Sequence, residues 1–177
     1  MSPKSVLTIA MLGASLLGLS PIQAQQPAPA NPLDTVPEKM PFDVPYGTPI
    51  SLERAGAAIA AAVAEAKKRD WKLNVAVVDS GGNLVAFQRM DGSQIASIQV
   101  SEHKARAAAL YRRETKVFES GIQLSNLNYL ITLDGVIASR GGIPLVEGGK
   151  LVGAIGCSGG TGSQDEVACK AGAAIIK

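Results

Sequence analysis

LNVAVVDSGGNLVAFQRM, residues 73–90, decides the fold class. Two runs rich in β-branched and apolar residues, 73–79 and 84–90, flank Ser80-Gly81-Gly82-Asn83. A short Gly/Asn turn between such runs is the signature of a β-hairpin, because only residues tolerant of positive φ close it. The sheet is therefore expected to be built from antiparallel neighbours.

Outward from the hairpin, both flanks read as helix. Upstream, SLERAGAAIAAAVAEAKKRD (51–70) opens on Ser51, a good N-cap. Glu53 suits the positive end of the helix dipole, and Lys67, Lys68 and Arg69 suit the negative end. Leu52, Ala55, Ile59, Ala62, Val63 and Ala66 recur at helical spacing, and the alanines call for close packing. Downstream, residues 93–113 form a second alanine-rich helix, while SNLNYLI (125–131) is ambiguous. GVIAS (135–139), GIPLVE (142–147) and LVGAIGC (151–157) then read as three short strands separated by Arg-Gly and Gly-Gly-Lys turns. A last helix starts at SQDE, where Ser163 and Glu166 have capping-box spacing; Ala168, Ala171, Gly172 and Ile175 continue it. The expected class is α+β, with five mostly antiparallel strands flanked by helices in the order α-β-β-α-β-β-β-α.

The chain has 177 residues and a formal net charge of +2. Its first 24 residues read as an export signal. Lys4 gives the positive start, VLTIAMLGASLLGL is an apolar run too short and too interrupted for a convincing span, and Ala24 offers a small residue at the cut. An uncleaved anchor is the alternative. Residues 25–50 are a proline-rich arm or linker, either disordered or packed across a neighbouring subunit through Met40, Phe42 and Tyr46. Residues 51–177 form the folded domain. The low charge, with no basic block, and an aromatic content of 4% argue against nucleic-acid binding. No later run is long and apolar enough to cross a bilayer. Export, to the periplasm or beyond the cell, permits a disulfide between Cys157 and Cys169; two buried thiols are the alternative. Their spacing supports neither a C-x-x-C redox pair nor covalent haem attachment.

Three motifs in order, NVAVVDSGGNLVAFQRMDG, HKARAAALYRRETKVFE and GGIPLVEGGKLVGAIGCSGGTGSQDEVACKAG, resemble the GlcG/HbpS haem-binding family. The resemblance covers nearly all of 51–177. It implies a profilin-like fold with a five-stranded antiparallel sheet. Some such proteins are secreted haem binders that form oligomers and act with sensor kinases or in iron handling. A related domain accompanies corrinoid adenosyltransferases, and others sit in small-acid metabolism. Haem-binding members carry a threonine near the iron in the second-helix motif; here Ala107 stands in its place.

His103 is the only histidine. On a helical wheel of about 100° per residue, Ala96, Val100, His103, Ala107, Leu110 and Tyr111 fall on one apolar arc. Glu102, Lys104, Arg106 and Arg112 fall outside it. His103 is then either a core histidine bonded to a carbonyl or an axial haem ligand, the iron site of the chain. Lys104, Arg106, Arg112 and Arg113 could pair with haem propionates or simply form a solvated face. Tyr111 and Met90 are further iron-ligand candidates, although both more often pack. GCSGGTGSQDE is a second candidate site: a glycine turn, including Gly159 and Gly160, entering a helix N-terminus can present N–H groups to an anion. The alternative is a tight structural turn. The turn is neither a P-loop nor a dinucleotide fingerprint. Asp79 either bonds its own turn or faces a pocket. A triad of Ser101 or Ser158 with His103 and Asp79 lacks the nucleophile-elbow pattern, and the ligand spacings for zinc are missing.

The resemblance, with the export signal and His103, implies an exported, oligomeric, non-covalent haem (tetrapyrrole) binder for haem or iron handling or sensing, in preference to a catalyst. The rival is an enzyme or accessory protein acting on a small carboxylate or aldehyde, using Asp79, Lys104 and Gly159–Gly160. A third reading is a structural partner of an exported enzyme or sensor, working through the arm.

Overall fold

The computed structural model describes residues 34–177. The export-signal expectation for 1–24, and residues 25–33 of the arm, lie outside the described residues. A compact unit runs from Lys39 to Lys177. Its elements are α1 (Leu52–Lys68), β1 (Asn74–Asp79), β2 (Leu84–Arg89), α2 (Ser97–Leu110), α3 (Lys116–Ser125), a 3-10 turn (Asn128–Thr132), β3 (Gly142–Glu147), β4 (Lys150–Ser158) and α4 (Gly162–Ala173).

The hairpin forms as its turn requires. Val75 pairs with Gln88 and Val77 with Ala86, with a bulge at Val77/Val78. The sheet order is β2-β1-β4-β3, antiparallel throughout. Alternation along β1 splits its side chains between two faces. Val75 and Val77 join Ile155 and Cys157 of β4 in a core closed by α1 and α4. Ala76 and Val78 face the other way, with Ala154, and meet Ala105, Ala108 and Ala109 of α2. The unit is thus a four-stranded sheet between an α1/α4 layer and α2.

Small residues set how closely these layers approach. A Cβ on Gly156 of β4 would lie 2.1 Å from the Ser101 carbonyl oxygen, and one on Gly142 of β3 would lie 2.3 Å from that of Lys104. The backbone of α2 therefore rests directly on the sheet. On the opposite face, a Cβ on Gly172 would meet the Ala58 carbonyl at 2.6 Å, which draws α4 onto α1. A Cys157–Cys169 disulfide ties β4 to α4.

Four expectations are corrected. The described residues contain four sheet strands, not five. Residues 135–139 stay outside the ladder because the chain running into β3 is held by helix side chains: Thr115 Oγ1 donates to the Ser139 carbonyl, and the Arg140 N–H donates to Glu119. The order also gains α3, so it runs α-β-β-α-α-β-β-α around the 3-10 turn. The capping box at α4 is Thr161 with Gln164, two residues before the Ser163/Glu166 pair. Finally, α2 begins at Ser97 rather than at 93. Ser93 is already committed, its Oγ donating to the Met90 carbonyl at 2.7 Å. Ser51 does cap α1, accepting from the Arg54 N–H, although Leu52 of the expected stripe is 68% exposed.

The described end of the arm packs on its own chain. Tyr46 bridges to Leu151, its hydroxyl donates to the Leu110 carbonyl at 2.9 Å, and Ile50 enters the core. Met40, in contrast, is exposed.

Candidate functional site

Helix α2 presents two unlike faces. Ser97, Ser101, Lys104, Ala105 and Ala108 point into the protein. Gln99, Glu102, His103, Arg106 and Gly135 line a cleft of about 330 Å³ on the other side. The wheel assignment holds for Ala107 and Arg106 but fails at its centre: His103 is exposed and Lys104 is 1% exposed. The reason lies in what the sheet accepts. Where glycines of β3 and β4 admit helix backbone, the small residues of α2 must face inward, and the register of Ala105 and Ala108 carries Lys104 in with them.

His103 Nε2 lies 3.2 Å from the Gly135 carbonyl oxygen. A carbonyl only accepts, so in the neutral ring Nε2 carries the hydrogen and Nδ1 has the free lone pair. Tyr111 Oη donates to the neighbouring Asp134 carbonyl at 2.5 Å. Arg106 Nε donates to Gly82 at 3.2 Å, tying the hairpin turn to the same helix.

Beneath α2 is a buried polar chain. Lys104 Nζ donates to Asp165 Oδ2 at 2.8 Å and to the Cys157 carbonyl at 3.2 Å. Asp165 Oδ1 accepts the Gly160 N–H at 3.0 Å. Burial pushes the Asp165 carboxyl up, against the pull of Lys104 and the Gly160 N–H. This chain runs through the second sequence candidate. The Thr161 N–H donates to Gln164 Oε1, and the Gln164 N–H returns to Thr161 Oγ1. The Gly160, Thr161 and Gln164 N–H groups are taken by the protein's own side chains, and the carboxyl at Gly160 is that of Asp165. Gly159 is structural: a Cβ there would lie 2.3 Å from the Lys72 carbonyl. Sequence reasoning missed Asp165; its signal was a carboxylate just inside a glycine-led helix start, with a lysine placed on a buried face.

A second charge network lies beside α3. Glu119 receives Arg140, which also reaches Glu166. Glu166 further accepts Lys170 at 2.6 Å and Lys116 at 3.4 Å. Burial raises the carboxyls of Glu119 and Glu166, but their cationic partners outweigh it and both end below the usual range.

The remaining candidates are dispersed. Asp79 accepts from the Gly81 and Asn83 N–H groups; despite some burial, these bonds hold its carboxyl low, as a turn-closing role requires. Arg112 donates to the Val44 carbonyl and stacks 5.4 Å from the Tyr46 ring centre, while Arg113 lies 3.3 Å from that of Phe42. Both arginines thus hold the arm and do not face the His103 cleft. Ala107 is fully buried, and Met90 belongs to the core. Tyr111, besides its Asp134 bond, packs edge-on against Phe118. The triad does not assemble: Ser101 Oγ bonds the Ile98 carbonyl, and Asp79 closes its own turn. Among the described residues, no group of three or more His, Cys, Asp or Glu is placed to hold a metal ion, and no helix is long and apolar enough to cross a membrane.

A four-stranded antiparallel sheet between an α1/α4 layer and α2 defines an α+β class. The chain belongs to the HbpS-like family, described as haem degrading protein HbpS-like, which matches residues 50–174. Among particular proteins, it is similar to protein GlcG of Escherichia coli K12, with 41% identity over 109 residues covering 62% of this chain and 81% of that one. Its fold is similar to that of a Streptomyces reticuli HbpS double mutant, at 30% identity and TM-score 0.69, over 85% of this chain and 99% of that one. It is also similar to Klebsiella pneumoniae protein ORFY, at 27% identity and TM-score 0.69, over 80% and 97% of the two chains.

Proposed function

We propose that this protein is an exported, non-covalent haem-binding protein for haem or iron handling or sensing, with His103 as the iron ligand. The observation that carries this reading is the exposed His103 imidazole in the cleft, the one side chain of the original candidate set that is both open and suited to iron. The family description supports haem as the ligand.

The residues fit one face of a haem. His103 would supply Nε2 once it leaves the Gly135 carbonyl, Arg106 a cation for a propionate and Gln99 a polar edge, while Glu102 in the same lining opposes an anion. Ile95, just before α2, and Leu110, at its last residue, are 72% and 44% exposed and offer apolar surface near this helix. Bound there, haem would supply an iron centre for ligand binding or redox chemistry. The chain's own part is to fix the imidazole, pair the propionate charge and cover one side. At about 330 Å³ the cleft is at the small end for ligand sites. A second copy, or a sensor or exported partner, would supply the other wall, so assembly belongs to this proposal. Export rests on the character of residues 1–24, and the Cys157–Cys169 bridge is compatible with it.

The small-carboxylate reading finds less support. Asp79 is occupied by its turn, and Lys104 and Gly160 are bridged by Asp165. Titration of the purified protein with haemin, followed at the Soret band, tests the proposal. A saturable shift that is lost in His103→Ala is expected. Absence of a saturable shift refutes haem binding, and an unchanged spectrum in the variant removes His103 as ligand.

A further inference from the structure

We infer that Tyr111 is a positioning residue for His103, acting through the loop at Asp134–Gly135, and that this latch decides which imidazole nitrogen faces a ligand. The inference rests on the reading of His103 as the ligand-binding side chain.

Two residues of one helix region hold two consecutive carbonyls. Tyr111 Oη binds the Asp134 carbonyl at 2.5 Å, and His103 Nε2 binds that of Gly135 at 3.2 Å. The tyrosine contact is at the short end of the O–H···O range and the histidine contact at the long end of the N–H···O range. Tyr111 is itself held, its ring meeting Phe118 edge-on with centres 5.2 Å apart, and Phe118 is 1% exposed. The loop therefore takes its position from the tyrosine, and the histidine takes its orientation from the loop. Gly135 has φ +70°, a left-handed conformation, and a Cβ added there would meet nothing within 4 Å. Glycine is needed at this position for the backbone angle that aims the carbonyl, not for space.

The chemical consequence concerns the two ring nitrogens. A ligating histidine commonly donates its other N–H to a carbonyl. With Nε2 so engaged, Nδ1 is the open nitrogen. Nδ1 adjoins the ring carbon that bears the side chain, so a flat macrocycle approaching it meets the residue's own Cβ. A single metal ion or a small hydrogen-bond donor does not. While the latch is closed, His103 suits small ligands; Nε2 becomes available to a macrocycle only when the Gly135 contact opens. Weakening the latch raises the share of molecules with Nε2 free. Apparent haem affinity rises in proportion, by up to about fivefold for the loss of one ordinary hydrogen bond.

The single histidine allows a direct test in the ligand-free protein. Nitrogen-15 NMR at alkaline pH, where imidazole is neutral, reports the His103 tautomer without overlap. The native protein is expected in the Nε2–H form. In Tyr111→Phe, which keeps the ring against Phe118, the spectrum is expected to move towards the tautomer mixture of free imidazole. Gly135→Ala, which strains the loop without a clash, should move it the same way. Haemin titration of Tyr111→Phe should show tighter binding. Unchanged His103 signals in both variants overturn the latch, as does an Nδ1–H form in the native protein. A native protein that binds no haemin, yet shows the tautomer shift, refutes the haem reading and leaves the latch standing. A tautomer shift with haemin affinity unchanged or weakened overturns the inference that the latch controls access to Nε2.

Discussion

Lys104→Met removes the cation of the buried pair and leaves Asp165 with one remaining donor, the Gly160 N–H. The two side chains are 1% and 3% exposed, so water cannot replace the lost partner without moving α2. Breaking a pair of this kind costs about 3–5 kcal/mol. The sign of the pH dependence follows from Asp165. Burial already raises its folded-state carboxyl above the ordinary value, and loss of Lys104 raises it further. The folded variant then holds a proton that the unfolded chain has released, so its stability falls as pH rises through that window. The deficit relative to the native protein is therefore largest near neutral pH and shrinks towards about pH 4 and below, as the unfolded chain takes up the same proton. Adding Asp165→Asn keeps an acceptor for Gly160 while removing the stranded charge, and should recover more than half of the loss at pH 7. Urea unfolding of the three proteins, disulfide intact, at pH 7 and pH 4 measures all of this. A loss below about 1 kcal/mol for Lys104→Met, the scale of an exposed pair, would refute the reasoning. So would a double variant no more stable than the single.

Further outcomes follow from packing and charge. Gly156→Ala places a methyl 2.1 Å from the Ser101 carbonyl and 2.5 Å from the Ala105 nitrogen, so α2 must lift; about 1–3 kcal/mol is expected in chemical denaturation. The Cys157–Cys169 bridge closes a separation of 12 residues, and its loss in a Cys157→Ala/Cys169→Ala variant should cost about 3 kcal/mol, read as a lower unfolding midpoint. Glu119 and Glu166 sit below the usual carboxylate range, so their contribution to stability is complete above that range and lost as pH falls through their folded-state values. A Glu119→Gln variant should accordingly lose less stability than the native protein between about pH 5 and pH 3.

The hairpin was legible because its cues are local. Apolar runs and a Gly/Asn turn act within a few residues, and the structure closes β1 and β2 there. The Ser51 cap is local in the same sense. Helix α3 was missed although its short sequence is amphipathic; Phe118 is its only buried residue, so little packing onto the core marks it. Nor was the fate of 135–139, whose apolar residues look like a strand but whose flanking backbone is taken by Thr115 and Glu119. At the candidate site, His103 was found from its identity, yet the apolar arc put it on the wrong face. Alanine-rich helices have little contrast around the wheel, so the inward direction is set by the surface they meet.

From the order of residues alone came the α+β class, the antiparallel hairpin, the family and the histidine that could bind iron. These depend on turn chemistry, side-chain periodicity and residue type, all of which act at short range. Only the tertiary structure decided the face of α2. Gly142 and Gly156 lie 38 and 52 positions beyond Lys104, counting 142 − 104 and 156 − 104. They admit the helix backbone, turn Lys104 inward to Asp165 and leave His103 outside against Gly135. Close approach between distant segments is a property of the assembled layers, and no local pattern encodes it.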